Sequence, residues 1–331
     1  MTLLSVLDLS PVPEGATPGD ALRNSAELVR HVEGLGFNRY WMAEHHNMLG
    51  IASAATAVAL AHVAHGTTRI RIGSGGVMLP NHAPYIIAEQ FGTLASLYPG
   101  RIDLGLGRAP GTDMIAARAM RRNLDGGDDF PQDVLELMRY FAPEQPGQSL
   151  RAVPGAGLEV PVWILGSSTY GAQLAAMLGL PYAFASHFAP QMMMEAVALY
   201  RAQFKPSAQQ ATPHVMLGVS VICAPTDEEA RFLFTSQQQS FVNLRTGRPG
   251  RLPRPEAGYF EGLDMRAQAV LRHSLSCAIV GSPATVRAGV EEFVARTGAD
   301  ELMVTCAVHD HALRLRSYAL LAEVQAMAVA A

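Results

Sequence analysis

"RIRIGSGGVMLPNHAP", residues 69–84, reads as a strand with a weak centre. Arg69, Ile70, Arg71 and Ile72 alternate with the two-residue period of a half-buried strand, and Val77, Met78 and Leu79 resume the apolar run. Between them stand Gly73, Ser74, Gly75 and Gly76. Glycine buries little and costs backbone entropy in a strand, so a run of it raises the question of what needs bare backbone there.

Outward from this strand the chain alternates. "SAATAVALAHVAHG" (53–66) before it and "YIIAEQFGTLASLY" (85–98) after it have helical spacing, the latter closed by Pro99-Gly100. Towards the N-terminus lie strands at 39–46 and 3–10 with a helix at 20–36 between them. Towards the C-terminus, strands are predicted at 101–107, 160–167, 181–186, 214–224 and 300–308, and helices near 131–142 and at 169–179, 189–204, 226–241, 282–298 and 310–328. "VWIL" and "LMVTCAV" are continuous apolar runs, as buried parallel strands should be. Eight strands alternating with helices, at roughly 40 residues a unit, predict an α/β (β/α)8 TIM barrel over 1–331 as a single domain. A doubly wound open sheet is the alternative that alternation alone leaves open. The polar, Arg- and Pro-rich stretch 243–262 lacks a period; it reads as an inserted loop before the eighth unit and a possible active-site lid.

Composition narrows the function. A net charge of −4, from 25 basic and 29 acidic residues, gives no reason to expect nucleic acid or an anionic membrane as partner. Apolar runs are broken well before the length of a membrane span, and the first residues do not read as a signal peptide. Cys223, Cys277 and Cys306 are widely spaced with no CxxC pair, which argues against a thiolate zinc site and suits a reducing cytoplasm. Lys205 is the only lysine and sits beside Pro206 at a helix end, which leaves no candidate for Schiff-base chemistry or a lysine-dependent phosphate loop.

In a barrel, chemistry gathers where strands end. "AEHHN" (43–47) closes the second strand; His45 and His46 are adjacent and so cannot both face inward on a strand. That pattern suits one acid–base histidine better than a metal pair, and no metal is expected. "HDH" (309–311) reads as a helix start. "GLGRAPG" (105–111) fails dinucleotide spacing but leaves Arg108 just past a strand end, placed to grip a phosphate. "LGSSTYGA" (165–172) puts Gly166, Ser167, Ser168 and Thr169 at a helix N-terminus, a ready anion site. Arg108 and this turn would share one monophosphate, which points to FMN or a phosphorylated metabolite.

"WMAEHHN", "RIRIGSGGVMLPNHAPYIIAEQFGTL", "GRIDLGLGRAPG", "ILGSSTYGAQLAA" and "SPATVRAGVEEFVARTGADELMV" together resemble the bacterial luciferase-like flavin monooxygenase family, in its single-chain luciferase family oxidoreductase group. The resemblance implies a barrel that binds reduced FMN at its strand mouths, with a separate flavin reductase supplying it. It implies reaction with O2 to a flavin C4a-peroxide that oxygenates a small organic substrate. His45 falls on the family's catalytic histidine, Arg108 on its phosphate-binding arginine and Gly166, Ser167 and Ser168 on its phosphate turn. Ser74, Gly75 and Gly76 fall on the third-strand bulge, where the family often carries a non-proline cis peptide against the flavin. Glu44 and Tyr170, flanking these, complete the implied cofactor-binding set. A homodimer is also implied. Gly107 stands where the light-emitting subunit has a reactive cysteine, a departure that bears on light emission and not on flavin binding. An F420-dependent oxidoreductase and a non-catalytic flavin-binding protein are the alternatives.

Overall fold

A computed structural model of the chain describes residues 2–109, 113–121 and 129–330. Its strands are β1 (Leu3–Asp8), β2 (Arg39–Met42), β3 (Arg71–Met78), β4 (Ile102–Gly107), β5 (Val162–Gly166), β6 (Tyr182–Phe184), β7 (Val215–Cys223), β8 (Ala278–Gly281) and β9 (Glu301–Thr305). All pair in parallel. β1 to β7 follow in order, β9 pairs with both β7 and β1, and β6 pairs with β7. Eight strands therefore close on themselves, which is the (β/α)8 barrel and not the open doubly wound sheet.

Local chemistry sets the helices between them. Thr17 and Asp20 form a reciprocal capping box for Pro18–Gly34, with Pro18 in the first turn. Thr226 caps Asp227–Arg245 through the Glu229 amide, and Gly179, at φ +65°, ends Thr169–Leu178. His311 opens the last helix, as its position predicted. Among the described residues no helix is long and apolar enough to cross a membrane.

Several differences from expectation bear on the site. β2 stops at Met42, so His45 and His46 lie on a loop, freed from strand alternation. The helix predicted over 226–241 runs to Arg245, so the first residues of the 243–262 stretch are helical. Tyr259–Gly262 and Met265–Ser274 are also helical. β8 is a ninth strand outside the barrel, pairing with the last residues of β7 where β9 has ended. The inserted stretch lies across the loops that follow β1 and β2. The Leu252 amide donates to the Val12 carbonyl at 2.9 Å, and the Glu14 amide donates to the Leu252 carbonyl at 2.9 Å.

The barrel interior is layered. At the floor, Arg39 donates from Nη1 to Asp103 at 2.7 Å and from Nε to Glu301 at 3.0 Å. Arg71 reaches Asp103 at 2.5 Å, and Ser5, Asn38 and His214 also bond Glu301. Those bonds and the Arg39 charge outweigh burial and pull the Glu301 carboxyl down to about 2. Trp41 and Trp163 pack edge to face above, at 5.1 Å. Leu7, Met216 and Met303 complete this inner apolar cluster, separate from the larger one under the helices.

Candidate active site

The strand mouths gather most of the predicted residues. At β3, Gly75 pairs with Gly105 and Val77 with Leu106, so Gly76 is an extra, bulged residue. The Gly75–Gly76 peptide is cis, one of the two bonds where the resemblance implied it. A Cβ on Gly75 would lie 2.6 Å from Leu7 Cδ1, and one on Gly76 would lie 2.8 Å from the Gly105 carbonyl oxygen. The barrel's own packing therefore demands bare backbone here. Ser74 is fully buried, its hydroxyl spent on the Gly105 backbone, so its side chain is not offered to the mouth.

Glu44 organises the loop after β2. Its Oε1 accepts from Nε2 of His46 at 2.7 Å and Nε2 of His82 at 2.8 Å; its Oε2 accepts from the Met78 amide at 3.2 Å. Burial raises the carboxyl, but the hydrogen bond and charge of His82, with the bonds from His46 and Met78, hold it below its usual range. Glu44 is then an ionised acceptor, and both imidazoles present Nε2–H to it. These donor atoms lie within 4.8 Å of one another and could hold a metal ion. The candidate set is thus Glu44, His46 and His82, not the adjacent pair His45–His46 weighed from sequence.

His45 faces elsewhere. Its Nδ1 is buried and has no hydrogen-bond partner. Burial lowers its pKa, opposed by the Glu44 charge and assisted by His46, which leaves a neutral imidazole at pH 7. His187, on the loop after β6, also has a buried, unpartnered Nδ1, and burial together with the charge of His45 takes it to about 4. His187 lines a cavity of about 40 Å³ with Leu7, Trp41, Gly75, Met216 and Met303.

On the other side of the mouth, the Arg108 guanidinium stacks 4.1 Å over the ring of Tyr170, in the first turn of Thr169–Leu178. Ser168 is that helix's N-cap residue, yet its side chain makes no capping bond. Ser167 is exposed and Gly166 half-buried beside it. The two phosphate elements singled out in sequence, Arg108 and the 166–168 turn, are therefore brought together by β4 and β5. Asn47 links the β2 loop to the β4 loop by donating to Asp113 at 2.6 Å. Pro110 and Gly111, the end of the "GLGRAPG" segment, lie outside the described residues.

Sequence reasoning passed over His82, which follows the bulge by six residues and meets Glu44 only through the fold. His187 directly follows the strand predicted over 181–186, but nothing local ties it to His45.

Comparison with known proteins bears on the family and the fold. The family model described as luciferase-like monooxygenase matches residues 2–301. A luciferase-like monooxygenase of Escherichia coli (strain K12) is 51% identical over 97% of this chain and 96% of its own length. The crystal structure of apo-MsnO8 superposes with a TM-score of 0.91 at 37% identity, over 98% of this chain and 99% of that one. The fold alone is shared with two cofactor complexes. One is the oxygenating constituent of 3,6-diketocamphane monooxygenase from Pseudomonas putida with FMN (TM-score 0.74, 16% identity, 97% of each chain). The other is an F420-dependent secondary alcohol dehydrogenase with an F420-acetone adduct (TM-score 0.65, 15% identity, 96% of this chain and 97% of that one).

Proposed function

The chain belongs to the luciferase-like monooxygenase family, and from that premise we propose that it is an FMN-dependent monooxygenase, using reduced FMN and O2 to oxygenate a small organic molecule. The observation that carries the choice of FMN is Arg108 stacked on Tyr170 beside the uncapped Ser168. A cation, a spare hydroxyl and a helix N-terminus converge there, which fits one phosphate.

Reduced flavin, when bound, supplies the electrons that activate O2. The rest falls to the chain. Arg108 and the Ser167–Ser168 turn hold the phosphate, and Tyr170 keeps the guanidinium in place. Gly75 and Gly76, whose Cβ positions would fall on Leu7 and the Gly105 carbonyl, would leave only backbone beside the ring. Glu44, His46 and His82 fix the β2 loop to the β3 bulge and so aim His45. Neutral His45 accepts or returns a proton at its unpartnered Nδ1. Leu7, Trp41, Met216 and Met303 keep water from the reacting side. The inserted stretch, fastened at Leu252 over the β1 and β2 loops, serves as a lid from its remaining length.

The reaction takes place in the cytoplasm, where the three buried, free cysteines persist as thiols, with a separate reductase supplying the flavin and a second copy of the chain as partner. Mixing the protein with photoreduced FMN and admitting oxygen tests the reading: flavin reoxidation slowed or reshaped by the protein supports it, and reoxidation identical to free FMN overturns it. Each reduced flavin takes up one O2 in either case, so hydrogen peroxide released at less than one equivalent per flavin reoxidised, with an organic acceptor present, separates an enzyme from a flavin-storage protein.

A further inference from the structure

Two segments of the barrel mouth meet at Glu44. Glu44 and His46 stand in the loop after β2, and His82 closes the short turn Leu79–Asn81 that follows β3. Each imidazole directs Nε2 at the same carboxylate oxygen, Oε1, at 2.7 and 2.8 Å, although the carboxylate has a second oxygen. That second oxygen, Oε2, accepts the Met78 amide at 3.2 Å, which fixes the orientation of the carboxylate. The two rings do not stack. Their centroids are 6.4 Å apart and their planes 53° apart, so they converge on Oε1 as separate arms.

The three donor atoms lie within 4.8 Å of one another, and among the described residues no other group of three histidine, cysteine or acidic side chains converges in this way. A tetrahedral zinc ion with bonds of about 2.0–2.1 Å needs its nitrogen and oxygen ligands about 3.3 Å apart. Drawing Oε1 back by about half an ångström from each nitrogen makes that room. The donor types decide the ion. Two imidazoles and one carboxylate suit zinc-class ions, whereas magnesium and calcium take oxygen ligands. Three protein ligands leave a fourth position, and exposure says where it points. The Glu44 side chain is 2% exposed, those of His46 and His82 19% and 28%. The carboxylate is the floor of the site and the imidazoles its rim, so an ion enters from solvent without opening the barrel.

We propose that Glu44, His46 and His82 form a binding site for a zinc-class divalent cation, held through Oε1 and the two Nε2 atoms with its remaining position open to solvent. The ion takes the place of the two protons between nitrogen and oxygen, and each ring then carries its proton on Nδ1. Coordination pins the loop after β2 to the segment after β3 more firmly than the hydrogen bonds do. The site needs no flavin and does not rest on the monooxygenase reading.

The test uses the full chain, stripped with a chelator and titrated with Zn2+ against a chromophoric competitor, then with Co2+ followed by its absorption. Wild type takes up one tight zinc per chain, and excess Mg2+ does not displace it. Glu44→Gln and His82→Ala each weaken that zinc at least about 100-fold, beyond the loss expected when a group that merely supports a ligand is removed. His62→Ala, which removes one of two exposed histidines at the end of Thr56–Ala64, changes it less than about twofold. His82→Cys restores zinc with a thiolate ligand and gives the Co2+ form a thiolate-to-cobalt charge-transfer band absent from wild type. A purely hydrogen-bonding role cannot produce that band, and it keeps the test decisive if His82→Ala folds poorly. No saturable zinc uptake by wild type, equal uptake by wild type and His82→Ala, or a Co2+-treated His82→Cys protein without the band overturns the proposal. The titrations contain no flavin, so their failure leaves the FMN reading standing, and failure to bind FMN leaves the metal site standing.

Discussion

Ser74 and Gly105 are joined twice across neighbouring barrel strands. Ser74 Oγ donates to the Gly105 carbonyl at 2.9 Å and accepts the Gly105 amide at 3.0 Å. A Cβ on Gly105 would run into the Ser74 carbonyl, and Leu165 Cδ1 would stand 2.8 Å away. Gly105→Ala must therefore push two strands apart and should destabilise by at least about 1–3 kcal/mol, the usual range for overpacking. Urea unfolding measures it; a loss below about 0.5 kcal/mol would mean that the strands yield easily.

The barrel floor gives the second prediction. Arg39 is the shared partner of Asp103 and Glu301, both fully buried. Arg39→Ala leaves buried Glu301 without its guanidinium and Asp103 with Arg71 alone, a defect that costs up to about 3–5 kcal/mol. Adding Asp103→Asn and Glu301→Gln should recover part of that loss. A triple variant no more stable than the single one contradicts this pairing.

His45→Ala removes a proton-handling group and no phosphate contact. Turnover should fall roughly 10²- to 10⁴-fold, the span of general acid–base catalysis, with FMN affinity within about twofold of wild type. Equal losses in binding and turnover would place His45 in the cofactor's grip instead.

Acid should weaken the fold in two stages. The folded-state pKa of His187 is depressed to about 4, so the unfolded chain takes up a proton first as pH falls below about 6.5, and stability drops through pH 6.5 to 4. The folded-state pKa of Glu301 is depressed to about 2, so its contribution is full above about 4.5 and is lost from there down to about 2. His187→Leu should flatten the upper stage by roughly 2–3 kcal/mol while leaving the lower one. Unfolding free energies at pH 7, 5.5 and 4.5 read this directly; identical pH slopes in both proteins would contradict it.

The eight barrel strands were legible because each is a run of buried apolar residues set between helical periods. β8 was not. Its four residues alternate half-buried and buried, and follow a helix that was itself unread, so no period stood out. The placement of Arg108, His45 and the 166–168 turn at the barrel mouth was legible because each follows a strand end. The glycine run was located but only half explained, since the atoms that exclude its Cβ groups belong to Leu7, Trp41 and Gly105, distant in sequence. His82 and His187 owe their surroundings to contacts of the same kind, with Glu44 and Gly218, which spacing cannot show.

The central claim is that Arg108 and the Ser167–Ser168 turn hold the phosphate of reduced FMN. Anaerobic titration of photoreduced FMN, riboflavin and reduced F420 into wild type and Arg108→Ala tests it most directly. A charge-assisted phosphate contact contributes about 1.5–3 kcal/mol, so Arg108→Ala should weaken FMN about 10- to 100-fold and leave riboflavin unchanged. Wild type should also prefer FMN to F420. Equal binding of FMN and riboflavin by wild type, an Arg108→Ala protein that loses both alike, or F420 as the tighter ligand would contradict the account.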